Sequence, residues 1–241
     1  MSRRRLWLAA ATLPLAAVAV VGAEVQLART GPKLPSTAPL DLDGTVGPGS
    51  LPPLRVTWLG DSTAAGVGAS SPENALPRAV ARLGRRPMTI TSLAVSGARV
   101  ADVLRDQVGR LPSDDPDVVF LSVGANDAVH LTGRRTFRHE YQALLEVLPK
   151  HSRVVVLGVP DMGAVVRFAQ PLRALVGWRG GQIDHDVRAR ARRAGATYVD
   201  IAGATGPAFR RHPDRYFAAD RFHPSDAGYR LWAQAVVEVM E

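Results

Sequence analysis

The chain has 241 residues, 46% of them hydrophobic and 22% charged, which suits one well-buried domain and excludes wholesale disorder. Its net charge of +8 is carried almost wholly by arginine, scattered in small groups such as Arg134, Arg135 and Arg138; with no basic run interleaved with aromatics, a nucleic-acid-binding module is excluded. Cysteine is absent, so disulfides, thiolate metal sites and a cysteine nucleophile are excluded as well.

The first element is Ser2-Arg3-Arg4-Arg5 followed by an uncharged apolar run from Leu6 to Ala23. A basic stretch ahead of an apolar one is the pattern of a secretory leader, and Val21-Gly22-Ala23 offers a small-residue cleavage site. The run also approaches the roughly 20 residues needed to span a bilayer, so residues 1–23 read equally as a signal peptide or an N-terminal membrane anchor. In both cases the arginines are expected to stay inside and the rest of the chain to be exported. Residues 24–54, rich in Pro, Gly, Ser and Thr, then read as an extended linker, leaving 55–241 as the folded unit.

Within that unit short apolar runs alternate with helical patterns. Strands are expected at Arg55–Leu59, Thr89–Ala94, Val118–Val123, Val154–Val159 and Thr197–Asp200, each apolar or β-branched along most of its length, as strands covered on both faces are. Helices are expected at Pro72–Leu83, Val100–Leu111, Thr136–Leu148, Ile183–Ala194 and Ser225–Met240. Alternation of this kind builds βαβ units and one parallel sheet with helices on both sides. The apolar stretch Pro160–Gly180 breaks the rhythm and reads as an insertion carrying a short helix or two.

Residues with chemical potential gather at strand ends. The first strand runs into Gly60-Asp61-Ser62, the second into Ser96-Gly97, and the third into Gly124-Ala125-Asn126-Asp127; Asp220-Arg221-Phe222-His223 precedes the last helix. Singly each has a plain structural reading: Ser62 as a turn or helix cap, Gly97 as a turn glycine, Asn126 as a cap, His223 as a surface residue before Pro224. Together they point elsewhere. Ligands of open parallel sheets bind beyond the carboxyl ends of the strands, where strand order reverses. With strand order 2-1-3-4-5, Ser62, Gly97 and Asn126 emerge side by side. A hydroxyl nucleophile needs a base, which His223 can supply, and Asp220 three residues earlier can hold the other ring nitrogen. The amides of Ser62, Gly97 and Asn126 can then receive a developing oxyanion.

These four segments resemble the motif blocks of the SGNH hydrolase superfamily, the GDSL lipases and esterases, over about Arg55 to Glu241. Gly60-Asp61-Ser62, Gly97, Gly124-Ala125-Asn126-Asp127 and Asp220-Arg221-Phe222-His223 follow the family's order. The family's usual leucine after the serine is Thr63 here. The resemblance implies a flavodoxin-like, three-layer α/β/α sandwich around a five-stranded parallel sheet. It also implies a Ser62–His223–Asp220 triad with a Ser62, Gly97 and Asn126 oxyanion hole, and ester hydrolysis with no metal or cofactor. Lipid, acyl, thioester and acetylated-glycan esters all fall within it. The apolar Pro160–Gly180 stretch hints at an acyl pocket, with a preference for short to medium chains.

Two rival readings stand beside this one. Gly60-Asp61 and Gly124-Ala125-Asn126-Asp127 faintly resemble the metal-binding turns of phosphoesterases, although the first strand brings no Asp-x-His. A catalytically silent, membrane-tethered binding module on the same fold is the other. Asp184-His185-Asp186 invites a metal reading but starts a helix pattern with no matching cluster, so a solvated face is expected. Asp61 and Asp127 are expected to brace their turns, and Gly206–Phe209 with Tyr216–Phe217 to line one wall of the pocket.

Overall fold

The computed structural model describes residues 20–35 and 39–240; most of the expected leader, residues 1–19, lies outside them. Among the described residues no helix is long and apolar enough to cross a membrane. The chain opens with helix α1 (20–30) and strand β1 (Gly44–Val46), then alternates. Its elements are β2 (Leu54–Gly60), α2 (Leu76–Leu83), β3 (Met88–Ser92), the irregular helix α3 (100–110), β4 (Val118–Ser122), α4 (Ala125–Val129) and α5 (Arg134–Val147). They continue with β5 (Arg153–Leu157), α6 (Leu172–Arg193), β6 (Thr197–Val199), α7 (Ile201–Arg211), α8 (Pro213–Tyr216) and α9 (Asp226–Met240).

The sheet runs β1-β3-β2-β4-β5-β6, with every pairing parallel except β1 on β3. The expected five strands therefore hold their expected order, with β2 between β3 and β4. Helices α2 and α9 pack together on one face, while α3, α5 and α6 pack on the other, giving the α/β/α sandwich. Val118, Val119, Phe120, Leu121 and Ser122 of the central β4 are all buried, which is what helices on both faces demand of a middle strand. Trp58 and Phe120, on neighbouring strands, stack with ring centroids 4.3 Å apart.

Three expectations need correction. First, the sheet has six strands, not five. The sixth comes from residues 24–54, expected as a free linker but built into the fold at two places. Gly44–Val46 pairs antiparallel with Met88–Ile90, held by Ser92 N donating to the Asp43 carboxylate (2.8 Å) and by Arg78 donating to the Asp43 carbonyl (2.7 Å). At the other place, buried Glu24 on α1 accepts from Leu172 N at 2.8 Å. Second, Pro160–Gly180 is no separate helical insertion. A 3₁₀ turn at Met162–Ala164 leads into the 22-residue α6, which starts at Leu172 and runs straight through Gly177 and Gly180. Those glycines serve close packing: a Cβ on Gly177 would lie 2.8 Å from Gly163 Cα, and one on Gly180 2.7 Å from Met162 Cγ. Third, the helix expected at Val100–Leu111 is a regular turn only at Val100–Asp102, then a π turn at Val103–Gln107 and a 3₁₀ turn at Val108–Arg110.

Candidate active site

Strand β2 delivers Ser62 to the carboxyl edge of the sheet through a turn that only glycine can begin. Gly60 has φ +145°, and a Cβ there would fall 2.0 Å from the Ser122 carbonyl oxygen on β4. Next, Asp61 N donates to that same carbonyl (3.0 Å), and Val67 N donates back to Ser62 O (2.9 Å), which closes the turn around the serine. Gln107, buried in the π turn of α3, completes the seat. Its amide oxygen accepts from Gly60 N at 2.9 Å and its amide nitrogen donates to Gly60 O at 2.8 Å, as a neighbouring strand would. A π turn carries one extra residue per turn, which rotates this side chain inward.

Asp61 is 2% exposed. Its Oδ1 accepts from Thr63 N (2.9 Å) and from the Thr63 hydroxyl (2.8 Å), and that hydroxyl also pairs with Ser122 Oγ at 2.9 Å. Burial pushes the Asp61 carboxyl up to about 6 despite those two bonds. Thr63, standing where the resembled family has leucine, is thus part of the polar support beneath the serine.

The opposite end of the chain supplies the imidazole. Residues 217–224 form a narrow loop tied at its base by a bridge between Phe217 and Pro224, with Ala218 N donating to His223 O at 2.8 Å. Asp220 Oδ1 accepts from the backbone N–H groups of Phe222 and His223, both at 3.0 Å, which leaves Oδ2 to meet His223 Nδ1 at 2.6 Å. His223 Nε2 lies 3.0 Å from Ser62 Oγ. Burial works to raise the Asp220 carboxyl, but the His223 ring and the two amides outweigh it and hold the group below its ordinary range. An ionised Asp220 at Nδ1 favours the tautomer that leaves Nε2 free to accept the serine proton.

Asn126, in the first turn of α4, lines the same cleft as Ser62 and His223, and its amide donates to Ala98 O at 3.0 Å. Gly97 is exposed, with φ +84°, one residue before that acceptor, and is not among the residues lining the cleft. The structure therefore brings Ser62, His223, Asp220 and Asn126 to one place, while Gly97 stays outside the cleft lining, one residue before Ala98. Asp127 braces that loop, accepting from Val100 N at 3.1 Å. The far wall includes Gly206, Phe209 and Phe217, within the stretches expected there, together with Met162, Val165 and Trp232.

The Asp184-His185-Asp186 cluster is spent on structure. Asp184 accepts from Val159 N and the Tyr198 hydroxyl, whereas Asp186 faces the other way to Arg134 and Arg138. Among the described residues no group of three or more His, Cys, Asp or Glu is gathered as a metal would require. Sequence reasoning missed Gln107, a lone amide in a helical pattern, and Arg167. Arg167 donates to Asp220 O at 3.1 Å and to Ala28 O at 2.8 Å, strapping the imidazole loop to α1.

Residues 58–231 match the GDSL-like lipase/acylhydrolase family. A GDSL-like esterase of Mycobacterium tuberculosis is 32% identical over 187 residues, covering 75% of this chain and 59% of that protein, so the chain spans about three fifths of the relative's length. Among solved structures, a lipase/acylhydrolase from Enterococcus faecalis superposes with a TM-score of 0.62 at 20% identity, over 77% of this chain and 94% of that one. Phospholipase A1 from Streptomyces albidoflavus does so at 0.56 and 24% identity, over 78% and 98%. At these identities the solved structures bear on the fold alone.

Proposed function

The chain belongs to the GDSL-like lipase/acylhydrolase family, and on that basis we propose that it is a serine hydrolase of carboxylic esters with Ser62 as nucleophile, His223 as general base and Asp220 as its orienting carboxylate. One observation carries the proposal: an unbroken chain of hydrogen bonds from Ser62 Oγ to His223 Nε2 and from His223 Nδ1 to Asp220, joining groups 161 residues apart in sequence.

Attack follows from that chain. As Ser62 Oγ bonds to the acyl carbon, its proton passes to His223 Nε2, and Asp220 stabilises the imidazolium. The oxyanion is received by the amide of Asn126 and the backbone N–H of Ser62, both on the cleft lining; Gly97, the third donor the resemblance implies, lies outside that lining. Collapse expels the alcohol, which takes the proton from Nε2. A water molecule, deprotonated by the same nitrogen, then attacks the acyl-serine; the carboxylic acid leaves and the Ser62 hydroxyl is restored.

A short acyl group is the preferred one in this reading. The cleft at Ser62 and Asn126 encloses only about 40 Å³, room for a few water molecules, between Met162, Phe209, Phe217 and Trp232. The basic leader ahead of an apolar run supports export, which an N-terminal reporter fusion assays directly. A p-nitrophenyl ester series from acetate to palmitate, run on wild type and Ser62→Ala, tests the chemistry. We expect hydrolysis concentrated at the short acyl groups and fluorophosphonate labelling of the wild type only. Full activity in folded Ser62→Ala would remove the nucleophile, and a maximum at palmitate would remove the short acyl pocket.

A further inference from the structure

His223 and Phe222 stand between two cavities of unequal size. One is the small cleft described above. The other is a groove of about 510 Å³ that borders His223 but neither Ser62 nor Asn126. Val129, Phe168 and Leu172 make its apolar floor, and its outer wall is the N-terminal segment, through Val25, Arg29 and Lys33. That wall is fastened at two points. Glu24 accepts from Leu172 N, and Arg167 reaches the carbonyls of Ala28 and Pro32 on the segment and of Asp220 on the imidazole loop.

The position of the groove assigns its contents. In the reaction proposed above, on which this inference rests, the departing alcohol takes its proton from His223 Nε2. The alcohol half of the ester therefore extends past the imidazole, while the acyl half occupies the small cleft beside the oxyanion donors. The groove has the chemistry of an amphiphile's site. Its floor is apolar, and Arg29 and Lys33, four residues apart on the exposed rim, have no ion-pair partner among the described residues. The acid on its lining, Asp220, has its carboxylate committed to His223 and to two backbone amides.

We infer that residues 25–34 form the binding wall for the alcohol half of the substrate, and that this half is an apolar chain ending in an anionic group. The N-terminal segment is then part of the specificity site, and Arg29 with Lys33 reads the charge at the far end of the chain.

The test is a comparison of two acetate esters of equal length in the full chain: ω-acetoxyoctanoate and ω-acetoxyoctyl-trimethylammonium. Wild type should favour the anionic ester in kcat/KM by about tenfold, the worth of two exposed charge contacts. The preference should collapse in about 0.5 M salt, where such contacts are screened. In the double variant Arg29→Glu, Lys33→Glu the ratio should fall below one. Because the ratio is taken within one preparation, a loss of folded enzyme cancels. Val25→Trp, which fills the groove, should lower kcat/KM for both octyl esters several-fold relative to p-nitrophenyl acetate. A ratio that is near one in wild type, or unmoved by the double variant, overturns the inference while leaving the hydrolase reading standing. Failure of wild type to hydrolyse p-nitrophenyl acetate as well overturns both.

Discussion

Replacing Gln107 by leucine separates the support beneath Ser62 from the Ser62 hydroxyl itself. The side chain is buried and makes two hydrogen bonds to Gly60, at 2.9 and 2.8 Å, two residues before Ser62. Each contributes about 1 kcal/mol, and leaving the Gly60 N–H without a partner in the interior costs about 1–3 kcal/mol more. Gly60 O is less exposed to the change, since it also accepts from Val95 N at 3.1 Å. Burying leucine in place of the amide returns about 1–2 kcal/mol. The net expectation is a loss of about 2–3 kcal/mol, or roughly 5–10 °C in the unfolding midpoint for a domain of this size. Activity should suffer beyond the loss of folded protein, because a displacement of about 1 Å at the reacting oxygen can cost on the order of 10²-fold in rate. Urea unfolding followed by tryptophan fluorescence gives the first quantity. The second is kcat per active site, titrated with a fluorophosphonate. A variant within about 0.5 kcal/mol of wild type with undiminished kcat would refute the reasoning, since surface-like neutrality is incompatible with two buried bonds.

Other perturbations probe neighbouring parts of the site. Asn126→Ala should lower kcat by about 10²–10³-fold with a much smaller change in KM, the mark of a donor used mainly in the transition state; a pure KM effect would move Asn126 out of the oxyanion hole. Asp61 titrates near 6 in the folded chain against an ordinary 3.8, so between those values the native state holds a proton that the unfolded state has released. Stability should therefore fall as pH rises through that window, by up to about 3 kcal/mol. Asp61→Asn cannot titrate, so its melting temperature relative to wild type should climb by several degrees from pH 4 to pH 7; a constant difference would contradict the burial argument. Gly177→Val should destabilise by about 1–3 kcal/mol through collision with Gly163. It should also raise KM, because the neighbouring Met162 lines the cleft; unchanged KM and stability would show that the two segments part freely.

The sheet was legible because its strands are covered on both sides. Val118–Ser122 and Arg153–Leu157 read as apolar runs bounded by turn residues, and burial on both faces leaves few other uses for such runs. Ser62, Asp220 and His223 were legible as candidates because a hydroxyl at a strand end, with an imidazole and a carboxylate three residues apart before the last expected helix, has few combined uses, and the structure brings the three within hydrogen-bonding distance. What stayed hidden was whatever depends on distant partners. Gly44–Val46 is a three-residue edge strand in a glycine- and proline-rich stretch, and it exists because Asp43 and Arg78 pin it to the sheet. The start of α6 was masked by Gly177, Gly180 and Gly181, which ordinarily end helices; at two of them the approach of Met162 and Gly163 outweighs propensity. Gln107 and Arg167 carry no local signature, since what they bind are main-chain atoms far away in sequence.

The serine hydroxyl and its imidazole partner lie 161 residues apart, and the loop that carries the imidazole leads straight into α9, which packs on α2. During synthesis, β2 to β6 can pair around that hydroxyl before the segment carrying His223 has left the ribosome. With His223 as the base proposed above, a chain truncated anywhere before it leaves that alcohol without its proton acceptor, so such a product is disarmed however well its remainder folds.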